Sequence, residues 1–154
     1  MKLMRATALA VGLALTVTLA PAAPAQAATA RETYQSTAFA ATNDHRANHG
    51  LVKLRKQACV QRYAVAQAKK MARAEKMFHQ LLLPILNDCG LALVGENVAY
   101  GYRSGRAVVN DGWMKSALHR ANILTPRFRL MGIGAAKGAN GRWYVSQVLG
   151  RKLL

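Results

Sequence analysis

Apolar residues recur at helical spacing through the first half of this chain and at alternate positions near its end, so the pattern predicts helices first and strands last. Tyr34 to about His49 reads as a helix that Gly50 stops, with Leu51, Val52 and Leu54 packing back as a loop. A second helix is predicted from about Cys59 to Lys76. There Val60, Ala64, Ala68, Met71 and Ala72 share one stripe, and Gln61, Arg62, Lys69, Arg73 and Lys76 lie off it. Small alanines on the apolar stripe predict close packing against a sheet or another helix.

The stretch from Met77 to Gly90 is apolar but interrupted. Pro84 and the cluster Asn87-Asp88-Cys89-Gly90 exclude a long helix through it. A short extended piece is expected around Glu96 to Ala99, then a turn bracketed by Gly101 and Gly105. Ser104 is placed to cap a helix from about Gly105 to Lys115 that turns Val108, Val109 and Trp113 inward. One more helical turn carries Ala117 to Ile123 and ends before Pro126. The period then changes. Phe128, Leu130, Met131 and Ile133, and later Trp143, Val145, Gln147 and Leu149, favour strands, with Asn140-Gly141 a good hairpin dipeptide between them. Helices followed by strands fit an α+β domain with an antiparallel sheet covered by helices. No internal repeat, low-complexity tract or second domain is visible.

The first residues form a separate pattern. Lys2 and Arg5 precede an uncharged run from Ala6 to Ala20, Pro21 and Pro24 break it, and Ala25-Gln26-Ala27 matches a signal-peptidase site. The run is about 15 residues, short of the roughly 20 that a membrane span needs. Residues 1–27 are therefore expected to be a signal peptide, 28–33 a short flexible lead and 34–154 the folded domain, with no transmembrane segment after export. A retained membrane anchor is the competing reading of the leader.

Export changes how charge and cysteine are read. Net charge is +16, yet no basic run exceeds two residues. A nucleic-acid binder more often gathers its cations on one face. The expected partners are instead an anionic cell-envelope polymer, acidic lipid headgroups or an acidic protein, and no nucleic acid. A soluble basic surface with no dedicated partner fits the same charge. Cys59 and Cys89 are the two cysteines, and an even pair in an oxidising compartment reads as a disulfide.

Candidate chemistry sits in three stretches: His79, the run Gly95-Glu96-Asn97-Val98-Ala99, and the run from Trp113 through Ser116, His119, Arg120 and Asn122 to Leu124. Two imidazoles and a carboxylate can hold a divalent metal or move a proton, or they can tie a fold together by hydrogen bonds. His79 and His119 are the candidate metal ligands, for zinc or another divalent cation, with Glu96 or water completing an open site. Glu96 can instead orient a histidine through its second ring nitrogen. Asn97 reads as a residue that fixes adjacent backbone, and Arg120 and Asn122 as stitches after the helix. Ser116 is a poor nucleophile, because no Gly-x-Ser-x-Gly elbow or oxyanion loop accompanies it. His45 and His49 have zinc spacing, but Arg46 stands where a metalloprotease glutamate would be, so a solvated helical face is the better reading.

These stretches, followed by Met131-Gly132-Ile133-Gly134 and Trp143-Tyr144-x-x-Gln147, resemble a bacterial CAP domain, the superfamily of cysteine-rich secretory proteins, antigen 5 and pathogenesis-related proteins, also called SCP-like. Asn43-x-x-Arg46-x-x-x-Gly50-Leu51 and Phe78-His79 fit the same order. The resemblance implies a three-layer α-β-α sandwich with a central antiparallel sheet and a cleft where His79, Glu96 and His119 converge. It also implies a second acid that some relatives place where Ser116 stands here, which weakens any mechanism needing two carboxylates. Two functions follow as expectations. One is a secreted binding module for a lipid, cell-envelope component or other extracellular ligand. The other is a metal-dependent, peptidase-like hydrolase with Glu96 as general base.

Overall fold

The protein is described by a computed structural model covering residues 29–153. The expected signal peptide lies outside the described residues. The expected lead does not survive as such from Thr29 onward, because helix α1 (Ala30–Asn48) starts there. Thr29 and Glu32 form a reciprocal cap. The Thr29 hydroxyl accepts from the Glu32 N–H at 3.3 Å, and the Glu32 carboxylate accepts from the Thr29 N–H at 2.8 Å. Two orphan donors of the first turn are thus satisfied, which pulls residues expected to be loose into the helix.

After α1 come the two-residue strand β1 (Arg55–Lys56), helix α2 (Ala58–Ala74), the short helix α3 (Leu82–Asp88) and strand β2 (Leu91–Tyr100). Pro84 falls in the first turn of α3, where its missing N–H has no partner to lose, so it permits this short helix. The predicted helix from Gly105 to Lys115 is instead a composite. One turn, α4 (Gly105–Ala107), passes into π-helix (Val108–Gly112) and then 3-10 helix (Trp113–Lys115). The ladder changes at Val108 and again at Trp113, both buried in the core, and Gly112 takes φ −101°, ψ −84° before the second change. Helix α5 (Ala117–Leu124), strand β3 (Leu130–Lys137) and strand β4 (Trp143–Lys152) complete the chain.

The strands form one sheet in the order β1-β3-β4-β2. The three long strands are antiparallel, and β1 adds a parallel edge through Arg55↔Leu130 and Lys56↔Met131. Helices cover both faces, giving the expected α+β sandwich. Tyr34, Ala38, Val109, Trp113 and Ile123 pack with Met131, Ile133, Val145 and Leu149 on one side. Val60, Ala64, Ile85 and Val148, then Ala68, Met71, Val98 and Tyr144, pack on the other. Gly132 and Gly134 alternate with the large residues of β3 and allow α2 to rest on the strand backbone. A Cβ on Gly134 would lie 1.9 Å from the Ala64 carbonyl oxygen, and one on Gly132 would lie 2.5 Å from the Gln61 nitrogen. This is the close packing that the alanine stripe predicts.

Two further ties hold the frame. Cys59, at the start of α2, is disulfide-bonded to Cys89, at the end of α3. Arg46, fully buried on α1, donates to the carbonyl oxygens of Val52, Ile123, Thr125 and Phe128 at 2.7–3.3 Å. Its charge is solvated by backbone dipoles and not by a carboxylate, so it pins three loop carbonyls and one from the end of α5. Burial, and after it the charge of Arg129, pulls Arg46 below the usual arginine range.

Candidate functional site at the β2 edge

Strand β2 pairs with β4 on one side and is the outer strand there. Its residues alternate across the sheet. Glu96 and Val98 belong to the α2 side, whereas Asn97 and Ala99 belong to the side of α1 and α5. The candidate residues therefore reach the edge from opposite faces.

Glu96 is 5% exposed, and both of its oxygens are fully engaged. One accepts from His79 Nδ1 at 2.8 Å and the Gln80 N–H at 3.2 Å. The other accepts from Gln80 Nε2 at 2.6 Å and Ser146 Oγ at 2.8 Å. A carboxylate so supplied orients the ring of His79, with Nδ1 turned to Glu96 and Nε2 turned away from it. The His79 side chain is 59% exposed.

His119 approaches from α5. Its ring is half-buried, and its pKa lies below the ordinary 6.5 because burial disfavours the imidazolium and the charge of His79 adds to this. His79 and Glu96 meet directly, whereas among the described residues no hydrogen bond joins the His119 ring to either side chain. Among the described residues, no three His, Cys, Asp or Glu side chains gather as a metal-binding group. Glu96 is turned behind His79 and engaged there.

Asn97 is fully buried and occupied. It donates to Gln147 Oε1 at 2.8 Å and to the His119 carbonyl at 3.2 Å, and it accepts from Asn122 Nδ2 at 2.9 Å. It holds α5 to the sheet, as its reading as a bracing residue expects. Asn122 also donates to the Glu96 carbonyl at 3.1 Å, and Trp113 Nε1 donates to the Val98 carbonyl at 3.1 Å. The Trp113-to-Asn122 stretch thereby satisfies two outward carbonyls of β2, two residues apart. Arg120 donates to the Met114 carbonyl at 3.2 Å, a stitch within that stretch.

Ser116 stands at the N-cap of α5, half-buried, and its hydroxyl does not cap the helix. His45 is bonded to Asn110 Oδ1 at 2.9 Å, and His49 Nδ1 to the His45 carbonyl at 2.8 Å, so the two rings have separate partners. Sequence reading did not single out Gln80 or Ser146. Gln80 is adjacent to His79, and Ser146, with Gln147, interrupts a largely apolar buried strand, which is the signal that was available. Exposed apolar side chains flank both histidines: Phe78, Leu81 and Leu83 beside His79, and Leu118 beside His119.

An α-β-α sandwich carrying these motifs at its sheet edge defines an SCP-type domain. The CAP model, described as the cysteine-rich secretory protein family, matches residues 39–149, and the chain belongs to that family. It is 28% identical over 125 residues to the uncharacterised protein YkwD of Bacillus subtilis (strain 168), covering 77% of this chain and 48% of that protein. The chain thus spans about half the length of the curated relative it matches. A solved extracellular SCP-domain protein of Bacillus anthracis str. Ames superposes with a TM-score of 0.71 at 26% identity, over 79% of this chain and 41% of that one. An outer surface protein of Borrelia burgdorferi has the same fold, with a TM-score of 0.67 at 19% identity, over 75% of this chain and 90% of the other.

Proposed function

We propose that this chain is a secreted binding module whose ligand lies across the β2 edge, over His79 and His119. The observation that carries this reading is the saturation of Glu96. A general base needs an oxygen free to take a proton from water. Here both oxygens already accept two hydrogen bonds each, and they are spent on fixing His79. Glu96 is therefore a positioning residue, and the hydrolase reading loses its base.

The imidazole pair is open to a divalent cation such as zinc. His79 Nε2 and a ring nitrogen of His119 would hold it, and water would fill the remaining positions. Bound there, the ion would supply a positive centre for an anionic group of the ligand. Phe78, Leu81, Leu83 and Leu118, close to these histidines in sequence, expose apolar surface, which fits a lipid or another amphiphilic cell-envelope component.

The test is flotation of the metal-free and zinc-loaded protein with phosphatidylglycerol vesicles at low salt. Wild type should float, and the double variant Leu81→Ser/Leu118→Ser should stay at the bottom with an unchanged circular dichroism spectrum. Titration calorimetry with zinc should show binding that His79→Ala and His119→Ala each remove. Failure of the wild type to float in either state would sink the amphiphile reading. Peptide cleavage abolished by Glu96→Gln would restore the hydrolase.

A further inference from the structure

A second feature lies where the start of β3 meets the end of β4. Arg55 on β1, Arg127 and Arg129 before β3, and Arg151 and Lys152 at the end of β4 line a hollow of about 540 Å³, together with Pro126, Leu130 and Leu153. Backbone hydrogen bonds bring these segments together. The Arg55 N–H donates to the Arg129 carbonyl at 2.9 Å, and the Arg129 N–H donates to the Gly150 carbonyl at 3.0 Å. Arg129 precedes Leu130, the partner of Gly150, so Arg129 and Arg151 flank the same rung on neighbouring strands.

Like charges at such positions repel and weaken the strand pairing that holds them. Among the described residues, the ion pairs are His79–Glu96 and Arg106–Asp44, so none of these five cations is balanced by a carboxylate. One of them is already oriented. The Arg129 guanidinium donates to the carbonyls of Phe128, at 2.8 Å, and Pro126, and so stands in a fixed direction with other N–H groups to spare. Beneath it lies the buried Arg46, which also has no carboxylate. Among the described residues, positive charge is therefore stacked here without a side-chain carboxylate paired to it.

We propose that Arg55, Arg127, Arg129, Arg151 and Lys152 form a binding pocket for adjacent phosphate groups of a polyphosphate or phosphodiester chain. Arginine forks match phosphate oxygens in pairs, and four of them converging from two strands and the loop before β3 favour that geometry over a single point charge. The hollow accommodates more than one phosphate, and five cations offer more donors than one phosphate accepts. The pocket is separate from the histidine pair. It is lined by residues of β1, of β4 and of the loop before β3, and neither His79 nor His119 is among them.

The experiment is calorimetric titration of the EDTA-treated full chain with inorganic tripolyphosphate at fixed ionic strength, with sulfate and orthophosphate as comparison anions. Tripolyphosphate should bind more tightly than either single-centre anion. The variant Arg127→Gln/Arg151→Gln, which removes neither contact made by Arg129, should weaken binding about tenfold or more, with a shallower salt dependence. Lys69→Gln/Arg73→Gln removes the same charge from α2 and should leave affinity within about twofold. His79→Ala/His119→Ala should also leave it unchanged, which separates this site from the one over β2. Arg55→Gln serves as an independent second variant should the double variant lose its fold. Equal losses from the two double-glutamine variants would show diffuse attraction to a basic protein and overturn the pocket. So would a tripolyphosphate affinity no better than that of sulfate. Binding to phosphatidylglycerol vesicles that requires Arg127 and Arg151, with no affinity for tripolyphosphate, would reassign the surface to a membrane and equally overturn the proposal.

Discussion

At the scale of single residues, Glu96 decides what the site can do. Its four donors are oriented for a carboxylate, and an amide can accept at only one of its two ends. Glu96→Gln should therefore set an NH2 against donors and cost about 2–3 kcal/mol in urea unfolding. A loss well below about 1 kcal/mol would show that the network is loose. His119 supplies a pH test with a definite sign. Its folded pKa is depressed, by burial first and by the charge of His79 second, so the unfolded chain binds the proton more readily. Its contribution is present above the unfolded value and is lost as pH falls through the region just below about 6.5. Metal-free wild type should lose thermal stability over that interval, and His119→Gln should lose less. Parallel curves for the two proteins would show that His119 does not couple to folding.

Elements show which parts of the fold can be read from pattern. Helix α2 was legible because one face is apolar and small while the other is basic. Its contact surface makes a sharp prediction. Gly134→Ala forces a methyl group into the Ala64 carbonyl and should cost about 3 kcal/mol or prevent folding. Ala136→Gly, which only removes a methyl from the same strand face, should cost about 1 kcal/mol. Both are measured by chemical denaturation, and equal costs would mean that α2 is free to shift. Strand β2 was underread because Leu91 to Gly95 is continuously apolar and shows no alternation until Glu96 and Asn97. With two residues, β1 has no period to detect. The helix from Gly105 was read as regular because nothing in its composition announces a change of ladder. The start of α1 was missed although Thr29-x-x-Glu32 is a capping signature, because the flanking polar residues suggest a loose lead. At the candidate site, His79, Glu96 and His119 were legible through their motifs. Gln80 and Ser146 were not, since their role depends on which strand lies opposite and which loop folds back.

On the scale of the whole molecule, the Cys59–Cys89 disulfide closes a loop of 30 residues that includes all of α2 and α3. Restricting that loop in the unfolded chain stabilises the fold by about 3–4 kcal/mol in the chain-entropy account. Cys59→Ala/Cys89→Ala should lower the unfolding midpoint accordingly and leave the sheet intact, checked by denaturation and circular dichroism. An unchanged midpoint would mean that packing of Ile85, with Leu82 and Leu86, secures α3 without the disulfide. Charge is distributed just as unevenly as covalent restraint. Acidic side chains are few, and the buried one is occupied with His79, so the ends of the sheet carry unbalanced cations.

Trp113 and Asn122 give the molecule one more property. Carbonyls left bare along an outer strand offer a template on which another chain can add a strand of its own. The indole and the amide occupy two such positions on β2, and β1 at the opposite border is too short to serve as a template. A protein that accumulates against a surface reaches high local concentration, where templated stacking into fibrils becomes the chief hazard. Trp113→Phe keeps the ring and removes the N–H, so it should increase thioflavin-positive aggregation on prolonged incubation while native exposure of the core changes little. The motif by which the family is recognised would then guard solubility in a crowded setting.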